Sequence, residues 1–192
     1  TIRPVQPMAG NRHAVYIRHA RETITYDYER NPADPRVNHV LTLEADAFGN
    51  VLKSASVAYG RRAPDPALTE EDRARQTLTH VTYTEAAFTN HVERTDAWRT
   101  PLLFETRRYD LTGYVPSDVS GRFRMADFVQ LGADGRTSHL FDGEIGYEEI
   151  PGNGRVRRRI EHVRTLYRPD DLGSSPADPS ALLPPGALES LA

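Results

Sequence analysis

Histidines and carboxylates are the side chains with which this chain could do acid–base or metal chemistry. Seven histidines are present: His13, His19, His39, His80, His91, His139 and His162. None has a partner at helical i, i+4 spacing, so no short metal-binding pair is written in the sequence. A metal centre would need distant histidines to converge, and isolated histidines read as structural or surface residues. Carboxylates pair at Glu70/Glu71, Glu148/Glu149 and Asp170/Asp171. Two carboxyls roughly 5–10 Å apart across a sugar would support glycoside hydrolysis. Adjacent residues of a strand point to opposite faces, which removes Glu148/Glu149 as such a pair. Glu70/Glu71 fits better as negative charge at the start of a helix.

The short motifs of common enzymes are missing. There is no Gly-x-Ser-x-Gly, no His-Glu-x-x-His, no Gly-x-x-x-x-Gly-Lys-Ser/Thr loop and no Gly-x-Gly-x-x-Gly. Cysteine is absent, which removes disulfides, thiolate nucleophiles and Cys-based zinc sites together. Lys53 is the only lysine among 24 Lys+Arg, so little scope remains for Schiff-base chemistry. The arginine bias reads as genome composition, with bidentate pairing to the 27 Asp+Glu as the alternative. The expectation is a non-enzyme with no catalytic residue, no metal ligand and no cofactor.

Two features could bind rather than react. Arg155-Val156-Arg157-Arg158-Arg159 is the densest basic run. It reads either as an anion patch or as a strand whose arginines face nearby Glu144, Glu148, Glu149 and Glu161, and it carries no interleaved aromatic platform for bases. Trp98 is the best lone candidate for a carbohydrate-stacking residue, against core or edge packing.

The elements that would position these residues are short alternating segments punctuated by turn residues, the pattern of an antiparallel β protein. Thr1–Gly10 reads as an extended arm. Ala14–Ile17 and Glu22–Glu29 read as strands, with Ile24, Tyr26 and Tyr28 on one face. Asn31-Pro32-Ala33-Asp34-Pro35 is a rigid turn, because two prolines fix φ and remove donors. Val37–Ala45 and Val51–Tyr59 form a hairpin around Asp46–Asn50, with Gly49 and Asn50 supplying positive φ. His80–Glu85 and Leu102–Leu111 are further strands. Thr69 caps a helix that runs to about Leu78, and Met125–Leu131 suggests a short helical turn. A long hairpin is expected from Leu140–Ile150 and Arg155–Tyr167. A two-residue Asn153-Gly154 loop would set Glu149 opposite Arg158, Glu148 opposite Arg159 and Tyr147 opposite Ile160. That register would neutralise the arginine run within its own sheet.

The 192 residues divide into a single β-rich domain, 1–168, and a Pro/Ser/Ala-rich linker or tail, 169–192, expected to be loosely held from about Asp171. A net charge of −3 and a pI near 6.2 give no footprint for nucleic acid. No apolar run approaches the roughly 18 residues of a membrane span. The N-terminus carries neither a signal segment nor an initiator Met, so the stretch reads as part of a longer protein.

Four groups of segments together resemble one family. They are Arg21–Tyr26 with Tyr28–Arg36; Leu41–Glu44 with Phe48–Ala55 and Tyr59–Arg62; Tyr83–Glu85 with Phe88–Asn90, Arg99–Leu102 and Glu105–Arg107; and Ile160–Tyr167. In this order, over residues 11–172, they resemble the middle-to-C-terminal region of the B component of bacterial Tc insecticidal toxin complexes. The resemblance implies an Rhs/YD-repeat-like sheet that closes with the cargo-carrying C component into a hollow shell around the toxic cargo. It also implies a β-propeller elsewhere in the B component that docks on the pore-forming A component. Tyr109-Asp110-Leu111-Thr112-Gly113 is similar to the YD-repeat core, but Tyr114 stands where that repeat has Arg, so it is a degenerate repeat. The implied fold is all-β, an open-edged fragment of a larger β shell with one or two short helices. The implied partners are the rest of the same toxin chain and the A and C components, with no nucleic acid and no membrane insertion by this segment. The implied localisation is secreted, as part of a toxin complex. The family assigns no catalytic residue to the matched motifs. The alternative is a β-sandwich carbohydrate- or protein-binding module. Contiguous exposed aromatics around one groove would favour that module, and an open sheet with unpaired edges would favour the wall.

Overall fold

A computed structural model describes residues 2–133 and 137–167. In chain order the elements are β1 (Ile2–Gln6), β2 (Val15–Arg18), β3 (Glu22–Asp27), β4 (Arg36–Ala45), β5 (Val51–Ala58), α1 (Glu70–Gln76), β6 (His80–Phe88), β7 (Val92–Glu93), β8 (Trp98–Arg99), β9 (Leu103–Thr112), a 3₁₀ turn (Met125–Asp127), β10 (Val129–Leu131), β11 (Thr137–His139), β12 (Gly143–Ile145) and β13 (Val156–Arg164). The chain is all-β. Seven strands form one sheet in the order β12-β13-β9-β6-β5-β4-β3, and three two-stranded ribbons, β1-β2, β7-β8 and β10-β11, stand beside it.

The β4–β5 hairpin forms as the alternation predicts, with Leu41 opposite Ala55 and His39 opposite Val57. Its turn is organised by Asp46, whose carboxylate accepts the backbone N–H groups of Phe48 and Asn50, both at 2.8 Å. Gly49 takes φ +85°, but Asn50 does not enter the left-handed region. Thr69 caps α1 by accepting from Asp72 N, with Glu70, Glu71 and Asp72 in the first turn; the helix closes at Gln76, short of Leu78. The helical reading of Met125–Leu131 holds only for one 3₁₀ turn, after which the chain extends into β10. The N-terminal arm is itself a strand, paired antiparallel with β2.

Alternate residues of the sheet divide its faces. On one face Leu41, Leu43, Ala55, Val57, Val81, Tyr83, Tyr109 and Leu111 are buried. They are covered by residues 113–133 and 137–142, which bring down Phe123, Phe128 and Val129. Asp127 shapes that cover by accepting Ser117 N at 3.2 Å and Arg124 N at 2.7 Å. Tyr114 anchors it through a 3.0 Å bond to the Leu140 carbonyl, and burial pushes the Tyr114 phenol up to about 12. The opposite face is bare. Register places Val40, Ser56, Thr82, Asp110 and Arg158 in one row across five strands, and Thr42, Ser54, Thr84, Arg108 and Glu161 in the next.

The expected hairpin at Asn153-Gly154 does not form. β12 pairs with β13 in parallel, with Glu144 opposite Arg157 and Ile145 opposite Arg158, and β13 spends its other edge on β9, antiparallel. Asp142 causes the change. Its carboxylate accepts Arg155 N at 2.8 Å and its own N–H donates to the Arg155 carbonyl at 2.6 Å. This clamp starts β12 alongside the beginning of β13, and residues 146–155 become a wide loop. Glu149 does not meet Arg158 as a charge pair; its carbonyl accepts the Arg158 guanidinium at 2.6 Å. Tyr147 is exposed, and Ile160 sits at a bulge. The expectation for the tail lies outside the described residues.

Candidate functional site

The covered face carries three polar clusters, each built from residues that only long-range register brings together. The first surrounds Glu85 on β6. Tyr83 and Tyr109 lie opposite one another on β6 and β9. The Tyr83 hydroxyl donates to Glu85 Oε1 at 3.1 Å and lies 2.9 Å from His139 Nε2. The Tyr109 hydroxyl donates to Glu85 Oε2 at 3.3 Å. Arg157 places one guanidinium nitrogen 3.0 Å from Glu85 and the other 3.0 Å from Glu144. Its plane is held between the rings of Tyr109 and Phe141, 4.4 and 4.3 Å from their centroids. Burial, reinforced by the Glu85 carboxylate, raises the Tyr83 phenol far above its ordinary range. Burial lowers His139, which favours its neutral imidazole. A neutral His139 that donates from Nε2 to Tyr83, which in turn donates to Glu85, gives the two hydroxyl contacts one consistent direction. The arrangement holds the cover on the sheet, and a phenol that resists ionisation is a poor nucleophile.

The second cluster ties the edge strand to the cover. His39 is fully buried, with Nε2 2.9 Å from Glu22 Oε1. Its Nδ1 lies 3.0 Å from the Tyr59 hydroxyl, which accepts the Phe123 N–H at 2.9 Å. Arg122 reaches the same Glu22 oxygen at 2.9 Å. Burial lowers His39, and Glu22 opposes that shift. The carboxylate–imidazole–hydroxyl order resembles a relay for activating a nucleophile, but the hydroxyl is engaged by both His39 and a backbone amide.

The third lies beyond the end of the cover. Glu105, 7% exposed, accepts from His162 Nε2 at 2.8 Å and from Arg164 at 2.6 Å, and pairs with Arg107 at 2.8 Å. The His162 hydrogen bond, then Arg164 and Arg107, hold its carboxyl down at about 2 against the opposing effect of burial. An acid depressed in the folded state contributes stability above its unfolded value near 4.5 and loses it as pH falls toward the folded value. Urea midpoints measured from pH 6 down to pH 2.5 are expected to fall steeply below about pH 4.5 in the parent chain. They fall less steeply in Glu105→Gln, which starts from a lower stability at neutral pH. Parallel acid limbs would show that another group controls the transition.

Two clefts open along β3. One, of about 430 Å3, is lined by Ile24, Tyr26, Pro35, Val37 and Tyr59, with Arg62 and Arg122 at its polar side. The other, of about 460 Å3, is lined by Arg21, Glu22, Leu41, Arg122, Arg124 and Met125.

The histidines are dispersed: His39, His139 and His162 serve separate clusters, His91 packs on Phe48 with ring centroids 5.4 Å apart, and His80 lies on the bare face. Among the described residues no three His, Cys, Asp or Glu side chains are grouped to hold a metal. Trp98 is 72% exposed on the β7-β8 ribbon. Arg157 turns into the Glu85 cluster and Arg158 to the opposite face, so the basic run is split between two surfaces. Glu85, Glu105 and Asp127 were not singled out by sequence. Their only signal was an acid at an inward position of an alternating strand or at the end of a helical turn.

The family described as "Insecticide toxin TcdB middle/C-terminal region" matches residues 1–102. Among solved structures, the crystal structure of TcdB2-TccC3 is 26% identical, with a TM-score of 0.45, over 57% of this chain and 6% of that one. The structure of a Photorhabdus luminescens Tc holotoxin pore carrying a mutation in TccC3 is 23% identical, with a TM-score of 0.48, over 73% of this chain and 7% of that one. The chain thus spans a small part of the solved chains it resembles. No curated protein matches it.

Proposed function

The chain belongs to the insecticide toxin TcdB middle/C-terminal region family, and from that premise we propose that residues 1–168 are a non-catalytic segment of the wall of a toxin-enclosing shell. The observation that carries this reading is the open sheet: seven strands run from β12 to β3 without closing, so the backbone edges are left for neighbouring strands. The faces differ as those of a wall would, one sealed by residues 113–133 and 137–142 and the other a plain of Ser, Thr and paired charges. The exposed aromatics are not gathered around one groove. Trp98 stands on its own ribbon, Tyr26 borders the cleft beside β3, and Phe48 lines a separate small pocket near His91; aromatics so dispersed give the carbohydrate-binding alternative no support. The partners on this reading are the rest of the toxin polypeptide and the A and C components, and the segment is secreted within their complex. No helix among the described residues is long and apolar enough to cross a membrane.

A wall has an inside and an outside. Because this stretch has no cysteine, a single thiol placed in it, with reactive cysteines elsewhere in the assembly replaced, reports which side is which. Ser56→Cys and Ala58→Cys mark the bare face, and Ser120→Cys marks the covered side. In the toxin polypeptide assembled with its cargo-carrying partner, a bulky polymer-linked maleimide is expected to label one side and not the other until the complex is denatured. Equal labelling of both sides in the intact assembly would overturn the wall reading.

A further inference from the structure

The open edge at β3 is more specific than a generic unpaired strand. The Thr42 N–H donates to the Arg21 carbonyl at 2.9 Å. In an antiparallel ladder this turns the backbone groups of Arg21, Thr23, Thr25 and Asp27 toward β4, and those of Glu22, Ile24 and Tyr26 outward. The same three outward-bonding residues carry the side chains that line the two clefts: Ile24 and Tyr26 the first, Glu22 the second. Residues two apart on a strand are about 7 Å apart. A strand laid on this edge would therefore drop successive same-face side chains into the two clefts.

The clefts differ in chemistry. The first is floored by Ile24, Val37, Pro35 and the two tyrosines, and Asp34 beneath it is occupied by the N–H groups of Arg62 and Ala63 at 3.1 and 3.2 Å. It fits an aromatic or large apolar side chain. The second presents Arg21, Arg122 and Arg124 against a single carboxylate, Glu22. Arg122 is paired with Glu22 and Arg124 with Asp118. Arg21 has no carboxylate partner among the described residues, and its guanidinium rests only on the Met125 sulfur at 3.7 Å. That cleft fits an acid, which a guanidinium binds in a charge-assisted, bidentate manner.

The geometry points to β3 as a strand-addition site for an extended polypeptide segment in which an aromatic or large apolar residue is followed, two positions on, by Asp or Glu. The order follows from antiparallel addition, in which the residue opposite Ile24 precedes the residue opposite Glu22. Backbone bonds supply affinity and the two clefts supply selection. On the shell reading the occupant is a neighbouring strand of the wall, but the site is defined by the chain alone.

The probe is a fluorescein-labelled nonapeptide of alternating Thr and Val with a central Tyr-Thr-Glu, titrated against the 192-residue chain by fluorescence anisotropy. Saturable binding is expected. Replacing the peptide Glu by Lys weakens it roughly tenfold, the loss of one good charge-assisted contact. Arg21→Glu weakens the parent peptide similarly and restores the Lys peptide. Methylating the Tyr and Glu amides of the peptide abolishes binding, whereas methylating the intervening Thr amide does not. No binding of the parent peptide, or binding indifferent to which amides are methylated, overturns the proposal. So does sedimentation showing that the edge is instead taken by a second copy, with Ile24→Pro converting a dimer to a monomer. The readout needs no cargo and no shell, so it can fail while the labelling asymmetry holds, and the reverse.

Discussion

Gly113→Ala is expected to cost about 3 kcal/mol of folding stability, and Gly113→Val to leave most of the chain unfolded. Gly113 ends β9 at φ +82°, where an L side chain costs roughly 1–2 kcal/mol. An added Cβ would also stand 1.9 Å from the Gly154 carbonyl oxygen and 2.7 Å from its carbon. That carbonyl cannot retreat freely, because the next residue, Arg155, is held through both its N–H and its C=O by Asp142. Relief would push β13 off β9 where Thr112 faces Val156, and forcing atoms into a filled site typically costs a further 1–3 kcal/mol or so. Gly152→Ala is the control, since a Cβ there meets nothing within 4 Å. Urea unfolding followed by circular dichroism separates the two. Equal midpoints for Gly113→Ala and Gly152→Ala would show that the close approach is not maintained in solution.

Tyr83→Ala is expected to destabilise by about 3–5 kcal/mol, as removal of a buried aromatic ring does. Tyr83 is 2% exposed and packs on Tyr109 and His139, with ring centroids 5.9 and 4.9 Å away. Tyr83→Phe keeps the ring and removes only the hydroxyl, which leaves Glu85 short of one donor and the His139 Nε2 without its partner. Unsatisfied buried groups cost about 1–3 kcal/mol. The Phe variant is thus expected to fall between parent and Ala, and its loss to shrink when His139 is also replaced by a residue with nothing to bond. Thermal melts of the two single variants and the Tyr83→Phe/His139→Leu double variant test this. Additive losses would mean that the hydroxyl and the imidazole are not coupled.

The local features of this fold were legible because short-range chemistry decides them. Leu41 and Leu43 alternate with polar neighbours, Asp46 can bond the amides of its own turn, and Thr69 precedes three acids. The failures are where a distant group outbid a local one. Asn153-Gly154 is a strong hairpin signal, yet Asn153 does not take the positive φ that a type I′ turn requires. Asp142 instead binds both the N–H and the C=O of Arg155, beside which β12 runs parallel to β13. Of the candidate site, sequence placed Arg157 in a strand that faces acids, and this holds through Glu85 and Glu144. It could not pick Glu85 as the chief partner, because β6 and β13 are not paired with each other; both flank β9, and only their registers bring residues 85 and 157 to one spot. His39, His139 and His162 were hidden for the same reason. The family resemblance, by contrast, lay in contiguous segments and needed no register.

The two edges of the sheet are unequal. β3 offers six residues and two side-chain receptacles, whereas β12 offers three residues, one of them Glu144, whose carboxylate is drawn back over the sheet by Arg157. Short, charged edges are poor templates for pairing. Stacking of loose copies through β12 is therefore disfavoured. A segment built this way has a long receiving edge and a short one, which gives any larger sheet that incorporates it a polarity.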